Sequence, residues 1–453
     1  MRTKGKFIIF FILLFAGFHP LYAQDSTLIG KTLNWDLVKC IDYAKKNNIE
    51  INTLRLSQLT SQQQYLLAKA ARLPNLSGSA SQNFEHANTN GGNSNNNSFT
   101  TGGTGSGFTA SGAYSLNSSV TIYNGNLISN TILQANAAVQ AANLTILQQE
   151  NDVSLQITQA YLAILLDKEN IVYDTDLVNT AKAQVKLEQQ RYDVGSVARF
   201  ALIQLQAQYA TDKYTLVNAQ NTERGDLLTL KQLLLLSSDV NFDITKPDTI
   251  IATDAVAAFK DVEQSALKNF ADVKIGELGV KTAQYGVDIA RAGYKPTLSA
   301  GASLNSGYLS EQGTFPNQLS NNFNQQVGLT LNVPIFTKRV VKTQVEEAKI
   351  QVDQAQLNLK NSAFTLSQSV ERAYLNVQNA KSQYDAALEE YKYNKESYRI
   401  ASEQLKVGVA NTVDFLLQKN LFIQAQQAFI QAKYNELLTL KIYDFYRGVP
   451  IKL

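Results

Sequence analysis

The chain has 453 residues, 44% of them apolar and 17% charged, and a formal charge of +3. Residues 1–23 hold Arg2, Lys4 and Lys6 and no acidic residue, so the remainder carries 38 basic and 38 acidic side chains and has no basic field to gather nucleic acid. That remainder has one histidine (His86), one cysteine (Cys40) and no methionine, and it lacks G-x-S-x-G, P-loop, H-E-x-x-H and dinucleotide signatures. We therefore expect no enzyme, no catalytic residue, no cofactor and no metal site, and no intrachain disulfide.

The start, MRTKGKFIIFFILLFAGFHPLYAQ, sets three basic residues ahead of an apolar run from Phe7 to Phe18 and a small residue, Ala23, at a cleavage point. The run is shorter than the roughly 20 residues of a spanning helix, which predicts a secretory signal and a chain that leaves the cytoplasm. Cys40 lies too far from that point to carry a lipid and is expected to be a small buried side chain. His86 is expected in a solvated loop.

Residues 35–72 are expected to form one helix, with Leu37, Ile41, Ala44, Ile51, Leu54, Leu66 and Ala70 mostly at helical spacing, stopped by Pro74. The period then becomes two. Leu76, Gly78, Ala80, Gln82 and Phe84 alternate with Asn75, Ser77, Ser79, Ser81 and Asn83, and the returning strand sets Tyr114, Leu116, Ser118, Val120 and Ile122 against Ser115, Asn117, Ser119 and Thr121. The stretch between them, about 87–109, is too polar and glycine-rich to pack a core and is expected to be a dispensable external loop. Strands with one apolar and one small polar face fit a membrane barrel that is wet inside. On pattern alone, a soluble hairpin resting on a core remains the alternative.

From about 126 to 192 the chain has neither proline nor glycine, which predicts a helix on the order of 100 Å long. The turn YDVGSVAR (192–199) and a return helix to about 235 follow, and residues 236–260, with Pro247, form a linker. The second half repeats the plan. Leu298, Ala300, Ala302 and Leu304 alternate with Ser299, Gly301, Ser303 and Asn305, and Val327, Leu329, Leu331, Val333 and Ile335 alternate with Gln326, Gly328, Thr330, Asn332 and Pro334. A second long helix over 338–405 carries Val341, Val345, Ala348, Val352, Ala355, Leu359, Ser362, Leu366, Ser369 and Ala373 as a heptad seam of small residues. Ile350, Leu357 and Val370 fall off that seam, which predicts neighbours on two sides. The turn LKVGVANT (405–412) leads to a last helix over 411–447.

The correspondence is residue by residue. Ala44, Pro74, Leu76 and Asn83 recur 222 positions on as Ala266, Pro296, Leu298 and Asn305, and Val120, Tyr161, Val194 and Gly195 recur 213 positions on as Val333, Tyr374, Val407 and Gly408. The expected organisation is a signal peptide (1–23), a first repeat (24–240, hairpin 74–124), a linker (241–260) and a second repeat (261–453, hairpin 296–337). Four strands cannot close a useful barrel, and open strand edges cannot face lipid, so several chains must assemble. Pattern alone does not choose between two and three copies.

The hairpin openings RLPNLSGSASQNF and YKPTLSAGASLNS, the exits SVTIYNG and NVPIFTK, and the turns RYDVGSVARFAL and QLKVGVANTVDFLL together resemble the TolC-type outer-membrane efflux proteins, over essentially the whole chain beyond the signal. The resemblance implies a mostly α fold with a β-barrel part: a homotrimeric channel-tunnel in which four strands per chain build a 12-stranded outer-membrane barrel, in contact with outer-membrane lipid and continued by a periplasmic α-helical barrel, with residues 236–260 and the chain ends contributing to a mixed equatorial region. It implies a passive exit duct for drugs, other small molecules or protein, served by a periplasmic adaptor protein and an inner-membrane transporter. A non-channel coiled-coil surface protein is the alternative reading. Val194, Gly195, Ser196, Val407, Gly408 and Val409 match the adaptor-contacting tips. Asp414 matches an acidic residue that rings the pore constriction in some members, whereas Leu417 replaces a second acid and Ala201 stands at the first-copy match of Asp414. The resemblance thus implies a constriction built differently, with Leu417 narrowing it.

Overall fold

The computed structural model describes residues 33–87, 107–247, 256–310 and 314–452. The expected signal peptide and most of the expected external loop lie outside the described residues. In chain order the elements are β1 (Leu33–Trp35), α1 (Leu37–Asn47), α2 (Ile49–Ala70), β2 (Asn75–Ala87), β3 (Gly107–Tyr123), α3 (Leu127–Asp193), α4 (Arg199–Leu233), β4 (Phe242–Ile244), α5 (Phe259–Asn269), α6 (Ala271–Ala292), β5 (Thr297–Leu309), α7 (Phe315–Asn321), β6 (Asn324–Asn332), α8 (Val340–Lys406) and α9 (Thr412–Arg447).

The expected helix over 35–72 is two helices. Asn48 ends α1 by donating its N–H to the Ala44 carbonyl at 2.8 Å, and starts α2 by accepting from the Ile51 N–H on its side-chain oxygen at 3.1 Å. An Asn at this point offers the backbone a cap that continuation of the helix would forgo. Phe270 takes the same extended conformation between α5 and α6, so the break recurs in the second half.

β2, β3, β5 and β6 form one antiparallel sheet in that order. The strand expected to continue through Ile335 stops at Asn332, because Pro334 has no N–H to give the ladder. On β3 the pairing shifts between Thr121 and Tyr123, so Ile122 is a bulge where the chain turns toward α3. The second hairpin contains α7, which the sequence reading missed. It covers the part of β5 that extends past β6: Gln318 bonds both the N–H and the carbonyl of Leu309 at 2.7 and 2.8 Å, and Asn322 donates to the Gly307 carbonyl at 2.8 Å. Side chains thus replace the missing strand partner.

α3 and α8 each have 67 residues and run about 100 Å. α4 returns along α3, α9 returns along α8, and α6 lies in the groove between the two long helices. On α8 the buried residues Val341, Val345, Ala348, Leu366 and Ala373 belong to the expected seam, while Val370 is buried through its own contacts with α5 and α9 and Ile350 and Leu357 are exposed. The main core lies midway along the helices. There Trp35, Cys40, Ile41, Ile157, Tyr161 and Leu437 pack together beneath a parallel pair of β1 with β4, the latter in the segment expected to be linker and equatorial region. The Tyr161 hydroxyl ties that pair down, donating to the Thr245 carbonyl at 2.6 Å. Among the described residues no helix is long and apolar enough to cross a membrane.

Candidate functional site: the strand wall and the helical tips

The sheet sorts its side chains by chemistry. Along one face Leu331 lies opposite Leu298, Leu329 opposite Ala300 and Val327 opposite Ala302, and the face continues through Val120, Leu116 and Leu76. Val327 and Leu329 are 85% and 71% exposed in the single chain, a state water would penalise across a contiguous wall. The other face carries Ser77, Ser79, Asn117, Ser303, Asn305, Gln326 and Thr330. These satisfy one another flat against the wall: the Ser79 and Ser115 hydroxyls share a hydrogen bond of 2.7 Å, and Asn75 accepts from the Ser119 N–H and hydroxyl at 2.7 and 2.9 Å. The four strands contain no Lys, Arg or Asp. His86, expected in a loop, is instead an exposed strand residue opposite Phe108, because β2 extends to Ala87.

At the far ends of α3 and α8 the two turns are built alike. Gly195 and Gly408 take φ of +75° and +77°, each donates its N–H back into the last helical turn, and the next N–H closes a six-residue loop, Ser196 to the Arg191 carbonyl and Val409 to the Gln404 carbonyl, both at 2.9 Å. Only glycine adopts this left-handed conformation without penalty, so the turn itself demands the residue. A Cβ on either glycine would meet nothing, and Val194, Val407 and Val409 project into solvent. The two tips are joined by Arg191. Its guanidinium donates to the Leu405 carbonyl at 3.0 Å and to the Lys406 carbonyl, capping the C-terminus of α8 from α3. Between the tips lies a cleft of about 470 Å³ that includes Phe200, Gln204, Asn411 and Val413.

Asp414 sits in the first turn of α9, exposed. Its N–H donates to Asn411 Oδ1 at 2.8 Å, and Asn411 Nδ2 donates to its carboxylate at 2.7 Å, a reciprocal cap that α4, beginning after Ala198, lacks. Leu417, one turn on, is 58% exposed and shares the Asp414 face.

Sequence reasoning missed the buried charges. Lys419 of α9 is wholly buried and bonds Asp212 of α4 at 2.5 Å, while Gln208 donates to the other Asp212 oxygen at 2.8 Å. Near the core, Asp167, Lys168 and Glu169 of α3 reach three different elements. Lys168 pairs with Glu223 at 3.3 Å and Asp243 at 2.7 Å. Burial opposes the Glu169 charge, but hydrogen bonds from Lys433 (2.8 Å) and the Tyr434 hydroxyl (2.7 Å) hold its carboxyl below the usual range. Asp167 is buried with one carboxyl oxygen unpartnered, and burial together with Asp226 pushes its pKa up to about 7. The signal was present as D-K-E within YLAILLDKENIVYD, an apolar stretch where solvated charges do not belong.

Residues 40–234 and 262–440 match the outer membrane efflux protein family, and the chain belongs to that family. Its fold is that of solved outer-membrane channels. The CmeC outer membrane channel of Campylobacter jejuni superposes with a TM-score of 0.76 at 20% identity over 91% of this chain and 85% of that one. VceC of Vibrio cholerae gives 0.75 at 18% identity over 91% and 96%, and the open state of the MtrE channel of Neisseria gonorrhoeae gives 0.73 at 18% over 94% and 93%. No curated protein matches the chain in sequence. The protein is therefore an outer-membrane efflux component that extends into the periplasm, the exit duct of a tripartite system.

Proposed function

We propose that three copies close the four-stranded sheet into a 12-stranded barrel, with Leu329 and its row toward lipid and Thr330 and its row toward a water-filled lumen, and that the long helices continue this pore as a tunnel. The supporting observation is the sheet itself: among the described residues β2 and β6 each leave an edge without a strand partner, while one face is largely apolar, with Leu76, Leu116, Val327, Leu329 and Leu331 exposed. Lipid does not tolerate the open edges until other copies complete the ring, and water does not tolerate the apolar row, which lipid accepts. The duct is passive and moves small molecules, or protein, handed over by an inner-membrane transporter.

Val194, Gly195, Ser196, Val407, Gly408 and Val409 form the surface that a periplasmic adaptor meets, since exposed apolar side chains there flank rigid, capped turns. Asp414 and Leu417 line the constriction, the carboxylates setting a charge threshold and the leucines an apolar one. Outer membranes extracted in detergent should yield a heat-resistant trimer, and crosslinking from Val409→Cys should capture the adaptor. A soluble periplasmic monomer would overturn the duct, and capture of no envelope protein from the tip would overturn the docking assignment.

A further inference from the structure

Midway along the helices, where α6 begins and α9 ends, α3 and α8 stand apart and leave a cleft of about 340 Å³, open on the side where Asp152 is exposed. That is at the lower end of the roughly 300–1,000 Å³ range of small-molecule sites. Two features mark its lining. Asp152 of α3 and Asp272 of α6 bring two carboxylates to it, and Phe270, Phe445 and Tyr446 bring three mutually packed rings, with Phe270 stacked on Tyr446 at 5.4 Å and edge-on to Phe445 at 5.2 Å.

The carboxylates lack a cation of their own. Asp272 accepts from Gln148 Nε2 at 2.6 Å, and neither acid forms an ion pair among the described residues. Arg372 acts on the Tyr446 hydroxyl, whereas Asp152 is held above the usual carboxylate range by burial and then by the Asp272 charge. Helix capping accounts for Asp272, which sits in the first turn of α6 and has Glu50 as its repeat mate. It does not account for Asp152, whose repeat mate, Thr365, lines the same cavity as a neutral hydroxyl. One copy of the repeat has thus placed a second negative charge facing the first.

We propose that this cavity binds an organic cation, a quaternary or protonated amine on an apolar body. The paired carboxylates select the charge and the ring cluster receives the alkyl or aromatic part, as ammonium groups are held against aromatic faces. A metal ion does not fit, because no group of three metal-ligating side chains occurs among the described residues. Anions are repelled. The site does not depend on the duct reading, since it lies within one chain.

The test is calorimetric titration of the full-length protein in detergent with benzyltrimethylammonium, and with benzenesulfonate as the anion of matched size. Saturable binding of the cation at one site per chain is expected, at least tenfold weaker in Asp152→Asn and in Tyr446→Leu and tighter in Thr365→Asp, with no binding of the sulfonate. The Thr365→Asp arm gains affinity, which misfolding cannot imitate. No saturable binding of the cation, equal binding of benzenesulfonate, or unchanged affinity in either weakening variant overturns the proposal. Trimer yield, read on the same preparations, reports separately on the duct.

Discussion

Single residues decide where this chain tolerates charge. Asp167 is ionised only at a cost, because burial and the Asp226 charge raise its folded pKa to about 7, well above the ordinary aspartate value of about 3.9. The folded state therefore binds the proton more tightly than the unfolded one, and this group's contribution is favourable below the unfolded pKa and lost as pH rises through 7. Asp167→Asn should melt above the wild type at pH 8, with the gap narrowing as pH falls below 7 and closing only near pH 4, as followed by circular dichroism. Lys419 is the opposite case, a wholly buried cation whose only carboxylate partner among the described residues is Asp212. Lys419→Met should destabilise by about 3–5 kcal/mol by leaving the Asp212 charge buried without a counter-charge, whereas Lys419→Met with Asp212→Leu should recover most of the loss. Chemical denaturation of the two variants measures the difference.

At the scale of elements, the strand faces and the tip turns carry the consequences. Leu329→Arg should cost about 2–4 kcal/mol in the lipid-facing row, while Thr330→Arg, one residue away on the other face, should assemble normally. Equal trimer yields from the two would contradict the assigned faces. Gly408→Trp forces a bulky residue into a left-handed turn, a strain of about 1–2 kcal/mol that a 36-residue helix and a 67-residue helix can absorb. It should abolish export with trimers intact, whereas Gly408→Asn, which tolerates positive φ, should export normally.

The alternation of the strands and the two uninterrupted helices were legible because each follows a simple period, and the Val-Gly pairs named both turns. What the sequence concealed depends on contacts distant in the chain. The β1–β4 pair joins residues more than 200 positions apart. The Asn48 break looked helical because its flanks are, and α7 forms where Gln318 finds the bare edge of β5. Asp414 was legible as an acid near a tip, but its reciprocal cap with Asn411 depends on the extended conformation Asn411 takes before α9.

For the whole molecule, one chain supplies an open sheet and two hairpins of helices, and each piece has a face that the chain leaves uncovered. The internal repeat makes those faces similar, so copies can follow one another around a ring. The central claim is that the sheet becomes a barrel wall with lipid on one side and water on the other. Cys40 makes a direct measurement possible: it is the only cysteine, has no exposed surface, and burial pushes its thiol up to about 12, so native background labelling should be negligible. Single cysteines placed at Gln326, Val327, Gly328, Leu329, Thr330 and Leu331 in intact outer membranes should react with a membrane-impermeant maleimide in strict alternation. The account predicts labelling at 326, 328 and 330 and protection at 327, 329 and 331; uniform labelling, or the inverse pattern, would contradict it.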